Sequence, residues 1–175
     1  MADKKDATPK PDAVSSSQQP AQPSIQIVTQ YIKDSSFENP HAPESLISGW
    51  AQPETGVQIS LSRQQVRDNL FESMLHLRVE ARNKQDNRVC FIVDLHYGAL
   101  VALSNVPAEA QLAVLMVEVP KLLFPYLREV VTGMTMQGGY PPLYLSPIQF
   151  EQIYMNEVQR LKSEQEGRQA TAGSA

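Results

Sequence analysis

Apolar residues recur with a period of two through the first half of the chain and with helical spacing through the second, so strands are expected first and helices after them. Ile25, Ile27, Thr29 and Tyr31 share one parity with Phe37 in phase, while Gln26, Gln30, Asp34 and Glu38 take the other, which describes a strand with one wet face. A second strand sets Val57, Ile59 and Leu61 against Gln58, Ser60 and Ser62, after a long connection containing Pro40, Pro43, Trp50 and Pro53. Leu75, Leu77, Val79 and Ala81 alternate with Met74, His76, Arg78 and Glu80, and the polar run Asn83 to Arg88 then turns into Val89, Phe91, Val93 and Leu95. Those last two strands form a hairpin. The fold class is therefore α+β: a four-stranded antiparallel sheet, polar on one face, with two main helices covering the other.

Pro107 and Glu109 open a short helical stretch, and a longer helix runs from Pro120 to about Gln137, where Gly138 and Gly139 end it. Pro125 sits in its first turns or kinks it. Its apolar residues, among them Leu122, Leu123, Tyr126, Leu127, Val130 and Met134, cover more of the circumference than one sheet face can bury. A second covering surface is needed. The last helix starts at Ser146-Pro147-Ile148-Gln149, a capping-box pattern, and carries Phe150, Ile153, Tyr154, Val158 and Leu161 on one stripe. Flanking segments 1–24 and 163–175 are too poor in large apolar groups to offset the entropy of ordering, which leaves one folded domain at 25–162.

Composition narrows the function. An apolar fraction of 42% supports a real core, and a net charge of −4 with scattered basic residues speaks against a nucleic-acid binder. Cys90 is the one cysteine, so there is no internal disulfide, and a reducing compartment, the cytoplasm, is expected. No apolar signal core follows the Lys-rich N-terminus, and no uncharged stretch is long enough to span a bilayer. Neither a Walker loop, a dinucleotide fingerprint, HExxH nor GxSxG occurs, so no enzyme, cofactor or metal is expected. His76, His96 and Cys90 share the polar parity of their strands and read as solvated surface, with His41 in the connection. Gly138-Gly139-Tyr140-Pro141-Pro142 reads as a connector between helices, and Trp50 is either a buried loop anchor or part of an apolar contact surface.

Two stretches resemble a known family. Tyr31-Ile32-Lys33-Asp34-Ser35-Ser36-Phe37-Glu38-Asn39-Pro40-His41-Ala42-Pro43 is similar to the first strand and following loop of the SecB export chaperones. Leu122-Leu123-Phe124-Pro125-Tyr126-Leu127-Arg128-Glu129, followed by Gly139-Tyr140-Pro141-Pro142-Leu143-Tyr144-Leu145-Ser146-Pro147-Ile148-Gln149-Phe150, is similar to their long helix, loop and final helix. His96-Tyr97-Gly98-Ala99 departs from a Gly-Gly pair common in the family, and the N-terminal extension is longer than usual.

The resemblance implies an ATP-independent, cytoplasmic homotetramer, a dimer of dimers, which binds unfolded precursors and delivers them to the SecA motor. Leu123, Tyr126, Leu127, Val130 and Met134 would then lie at the subunit interface, and Trp50, Val57, Ile59, Leu61, Ile153 and Tyr154 would line the precursor groove. Asp34, Glu38, Ile92 and Asp94 would form the acidic SecA surface. Rival readings are a SecB-like chaperone of a toxin-antitoxin system and a small oligomeric enzyme or regulator built on His76, His96 and Cys90.

Overall fold

The structure, a computed structural model, describes residues 22–47 and 53–172, with side chains as far as Ser163. Strands β1 (Ser24–Glu38), β2 (Glu54–Arg67), β3 (Leu70–Arg82) and β4 (Val89–Ser104) form one antiparallel sheet in the order β1-β4-β3-β2. A short helix α1 (Glu44–Ile47) lies in the connection from β1 to β2, which must cross from one sheet edge to the other. Its length follows from that crossing. The hairpin between β3 and β4 turns over the expected polar run, with the Asn83 amide donating to the Arg88 carbonyl at 2.9 Å. A second hairpin, joining β2 to β3 through Asp68-Asn69, is not visible in the apolar pattern because Arg63 to Arg67 is mostly polar. Asn69 takes φ 57°, which Asn tolerates better than most residues.

The inward face of β3 and β4 carries Leu75, Leu77 and Val79 opposite Tyr97, Leu95 and Val93, as the alternation predicts. β1 departs from simple alternation. Register shifts between Ile27 and Thr29 and between Ile32 and Asp34 each add one residue, and each reverses which face the next side chain takes. Tyr31 therefore pairs with Gly98 on the outer face, whereas Gln30 turns inward and accepts a hydrogen bond from the Tyr97 hydroxyl at 3.0 Å. The second shift restores the phase, so Phe37 points inward and Asp34 and Glu38 outward. Once outside, Tyr31 donates to the Glu72 carboxylate across Gly98, which contributes no side chain between them, and Lys33 pairs with the same group at 2.9 Å. Burial first, and then the hydrogen bond to Glu72, pushes the Tyr31 hydroxyl up to about 12.

Cys90 also differs from its expected outward parity. A register shift between Ala81 and Arg82 leaves it without a directly paired partner, and its side chain is fully buried. Burial, with a smaller contribution from the Asp86 charge, pushes its thiol up to about 11, so it stays protonated and unreactive.

The two helices expected around Pro107 and Pro120 are one continuous helix. Helix α2 (Ala108–Ala113) passes through a single wide π turn (Val114–Glu118) into α3 (Val119–Gln137). Pro120 supplies the reason. It has no amide proton to donate backwards, and a wide turn here isolates the loss. The Leu115 carbonyl, which the Pro120 position would serve in π geometry, instead faces the hydroxyl of buried Ser73 at 3.4 Å. At the other end Gly138 and Gly139 close α3, with Gly139 at φ 86° and the Tyr140 amide reaching back to the Thr135 carbonyl. By length and composition alone Ala108–Gln137 passes as a membrane-span candidate, but Glu109, Glu118, Lys121, Arg128 and Glu129 interrupt it, so it is not an uncharged stretch. One side of it is spent on the sheet: Leu115, Val119, Leu123, Leu127 and Val131 are buried there.

Helix α4 (Phe150–Ala172) begins later than its capping-box pattern and ends later than its apolar stripe. The core takes Leu145 and Ile148 from an extended segment, so Gln149 rather than Ser146 accepts the first helical amide bonds, from Gln152 and Ile153. Beyond Leu161 the helix continues to Ala172, because Glu, Gln, Lys, Arg and Ala favour helix without needing burial, and the segment 163–172 is not the structureless tail its composition suggested. Residues 1–21, most of the expected N-terminal tail, lie outside the described residues, and β1 already begins at Ser24.

The Glu72 cluster yields a pH-dependent test. Hydrogen bonds from Tyr31 and then Lys33 hold the Glu72 carboxyl below its usual range, so its contribution is complete above the ordinary carboxylate pKa and fades as pH falls through the lowered value. Glu72→Gln is expected to cost about 1 kcal/mol at neutral pH. In urea unfolding the gap from wild type should close as the medium is taken well below about pH 4; a gap that persists in acid would remove the charge from the account.

Candidate functional site

Among the described residues the helix-covered face carries a cleft at each sheet edge. At the β2 edge Ile59 and Leu61 of β2, Met116 of the π turn, and Ile153, Asn156, Glu157 and Arg160 of α4 surround about 380 Å³. This brings together three of the residues expected in a precursor groove. Met116 is an addition that the sequence hid, because the region around it reads as a break between two helices. Val57, half-exposed, continues the same inward row of β2, and Tyr154 is part-buried against the core without lining this cleft. Trp50 lies outside the described residues.

At the β1 edge Ile32, Ser35 and Phe37 face Val130, Met134 and Gln137 of α3 and the capping Gly138 across about 420 Å³. Val130 and Met134 were expected at a subunit interface; within the chain they flank this cleft. Leu123 and Leu127 correct that expectation more strongly. Both are fully buried against the chain's own sheet, so a charge there would break the single-chain core first. The outer side of the helix instead shows Leu122, Tyr126 and Met136, exposed at 50%, 50% and 57%.

A buried polar knot holds the crossing connection over the helix end. The Tyr140 hydroxyl lies 2.9 Å from Asn39 Oδ1, 3.0 Å from Ser45 Oγ and 2.9 Å from the Cys90 carbonyl. Asn39 also donates to the Gly138 carbonyl at 3.3 Å, and Ser45 Oγ lies 3.2 Å from Asn39 Oδ1. A phenol has one proton, so Tyr140 donates to one of these three oxygens at a time, while the Ser45 hydroxyl donates to Asn39 Oδ1. Phe37 stacks on Phe91 at 5.7 Å, Phe91 meets Tyr140 at 4.8 Å, and Gly138 leaves the space the Phe37 ring occupies. The Gly-Gly-Tyr-Pro-Pro segment is thus a connector whose Tyr is a structural anchor.

The outer sheet face is polar, in rows set by strand register. One row holds Asp34, His96, His76 and Ser60, the next Ser36, Asp94, Arg78 and Gln58, and a third Glu38, Ile92, Glu80 and Gly56. Asp34, Glu38, Ile92 and Asp94 therefore share one surface. Their charges are unequal in availability. Asp34 and Glu38 are exposed, whereas Asp94 accepts from Arg78 at 3.1 Å and meets His76 Nε2 at 2.9 Å. Burial would raise the Asp94 carboxyl, but the hydrogen bonds from His76 and Arg78 outweigh it and hold the group below the usual carboxylate range.

Comparison with known proteins decides the family. The model of the family described as preprotein translocase subunit SecB matches residues 18–161. The chain belongs to the SecB family. The protein-export protein SecB of Paracoccus denitrificans is 39% identical over 86% of each chain, and that of Sphingopyxis alaskensis 35% identical over the full length of both. A solved structure of a Mycobacterium tuberculosis SecB-like chaperone, in complex with a ChAD peptide from an antitoxin, matches with a TM-score of 0.60 at 18% identity, covering 71% of this chain and 91% of that one. At that identity the likeness concerns the fold. As a SecB protein, the chain is a chaperone of protein export, and members of its family are chaperones rather than enzymes.

The knot around Tyr140 gives the next test. Tyr140→Phe removes the hydroxyl and leaves buried acceptors short of a donor, with an expected loss of about 1 to 3 kcal/mol in chemical unfolding. Amide exchange should rise most in residues 39–47. Unchanged stability would show that the connection is held elsewhere.

Proposed function

We propose that this SecB chaperone holds unfolded precursor segments, without nucleotide, in the cleft between β2 and α4, assembles as a cytoplasmic homotetramer, and passes its cargo to SecA through the outer sheet face. The observation that carries the reading is the separation of two surfaces on opposite sides of one sheet. The cleft offers Ile59, Leu61, Met116 and Ile153 to apolar side chains of a client, with Asn156, Glu157 and Arg160 at its polar margin. Apolar burial is non-directional, so such a cleft accepts many sequences. β2 is also an edge strand, free on one side to pair with an extended backbone. On the far side Asp34 and Glu38, exposed and outside any ion pair among the described residues, supply charge around Ile92, suited to fast encounter with a basic partner segment.

Assembly rests on the outward side of the long helix. Leu122, Tyr126 and Met136 leave about half of each side chain in water, an arrangement that a second copy packing helix against helix would remove. Tyr126→Asp is expected to give smaller oligomers by light scattering, with far-ultraviolet circular dichroism unchanged. Retention of a tetramer would take this stripe out of the interface.

Two double variants separate the functional surfaces. Leu61→Ser with Ile153→Ser should weaken capture of a reduced, slowly folding precursor by roughly 30-fold, given about 25 cal/mol per Å² of apolar area, and leave SecA affinity unchanged. Asp34→Asn with Glu38→Gln should lower SecA affinity at low salt, less so at high salt, and leave capture intact. Loss of both activities in either variant would contradict two separate sites.

A further inference from the structure

We propose that His76, Asp94 and His96 form a binding site for a divalent transition-metal ion of the zinc, cobalt or nickel class on the outer face of the sheet. His76 and His96 are direct register partners on β3 and β4, and their rings stack at 4.0 Å with an interplanar angle of 6°. The register pairing brings two imidazoles to one spot; stacked face to face, they must turn about the bond to the ring before both in-plane lone pairs meet one ion. Asp94, two residues before His96, adds the oxygen: its Oδ1 lies 2.9 Å from His76 Nε2 and 3.8 Å from His96 Nδ1. One ligand atom from each residue falls within 4.8 Å of the others. That spacing closes to metal-ligand distances of about 2.0 to 2.2 Å once the two rings splay apart from their stack.

A second observation points the same way. His96 Nδ1 is buried and has no hydrogen-bond partner among the described residues, although it is aimed at the Asp94 carboxylate. An orphaned ring nitrogen is costly in a folded protein and is satisfied at once by a cation in this position. Arg78 holds the other carboxylate oxygen, Oδ2, at 3.1 Å, which orients Asp94 and leaves Oδ1 for the ion. The guanidinium charge opposes a second cation, so the site suits a reversibly bound ion rather than a permanent structural one. Side-chain exposures of 36%, 27% and 35% for His76, Asp94 and His96 leave an entry path and room for water to complete the coordination. Histidine and carboxylate donors in this number favour zinc-like ions over calcium or magnesium, which prefer all-oxygen shells.

The test needs neither precursor nor SecA, so its outcome is independent of the proposed function. Cobalt(II) titrated into the full-length chain should produce a saturable visible absorption band at about one equivalent per chain, without a thiolate band, and zinc(II) should displace it. His76→Gln and His96→Gln should each weaken binding at least about 10-fold, while His41→Gln and Cys90→Ser leave it unchanged. X-ray absorption at the cobalt edge of the wild-type protein, showing imidazole scattering, keeps the proposal testable if a variant fails to fold. Absence of a saturable band at millimolar cobalt, or a band indifferent to both histidine variants, would overturn it and leave the cluster as an ion-pair network around Asp94.

Discussion

Leu115, Val119, Leu123, Leu127 and Val131 recur every four residues along the long helix, and all are buried against the inward side chains of β3 and β4. Each fully buried side chain of this kind contributes about 1.5 to 3 kcal/mol relative to exposure, and the row acts as a unit because its spacing matches one helix ridge. The rest of the structure is arranged around that contact. The helix divides the covered face of the sheet into a cleft at the β2 edge and another at the β1 edge. It leaves Leu122, Tyr126 and Met136 facing away from the sheet. α4 is fastened beside it by the edge contact of Phe124 with Phe150 at 5.8 Å and by Lys121 to Glu151 at 2.6 Å.

Continuity of the helix depends on how Pro120 is tolerated. A proline in a regular helix interior loses a hydrogen bond and clashes with the preceding turn, at about 3 kcal/mol or more. The wide turn at Val114–Glu118 confines the disruption and leaves the buried Leu115 carbonyl to the Ser73 hydroxyl on β3. It also places Met116 in the cleft between β2 and α4. One backbone irregularity therefore serves both the fold and the candidate client surface.

On the opposite face, two bulges in β1 do comparable work. They turn Tyr31 outward to Glu72 and still return Asp34 and Glu38 to the same face as Ile92 and Asp94. Charge there is not uniform, since Arg78 and the two histidines engage Asp94 while Asp34 and Glu38 remain exposed. A face where exposed Asp34 and Glu38 lie beside carboxylates compensated by Lys33, Arg78 and Arg82 differs from a simple acidic patch.

Much of this was legible in the chain itself. Strict alternation in β3 and β4 set their inward and outward faces, the polar run 83–88 announced their hairpin, and two quoted motifs pointed to the family, because period and local turn chemistry are properties of sequence neighbours. Parity also placed Asp34, Glu38, Ile92 and Asp94 together, since a second bulge cancelled the first. Tertiary structure decided the rest. Whether β1 bulges, whether Pro107 to Gln137 is one helix or two, where α4 starts, and whether Leu127 meets its own sheet depend on which distant surface each residue is pressed against. Cys90, outward by parity and buried in the fold, shows the reason: alternation assigns a face only while the ladder holds its register, and a single unpaired residue, fixed by packing between distant segments, is enough to reverse it.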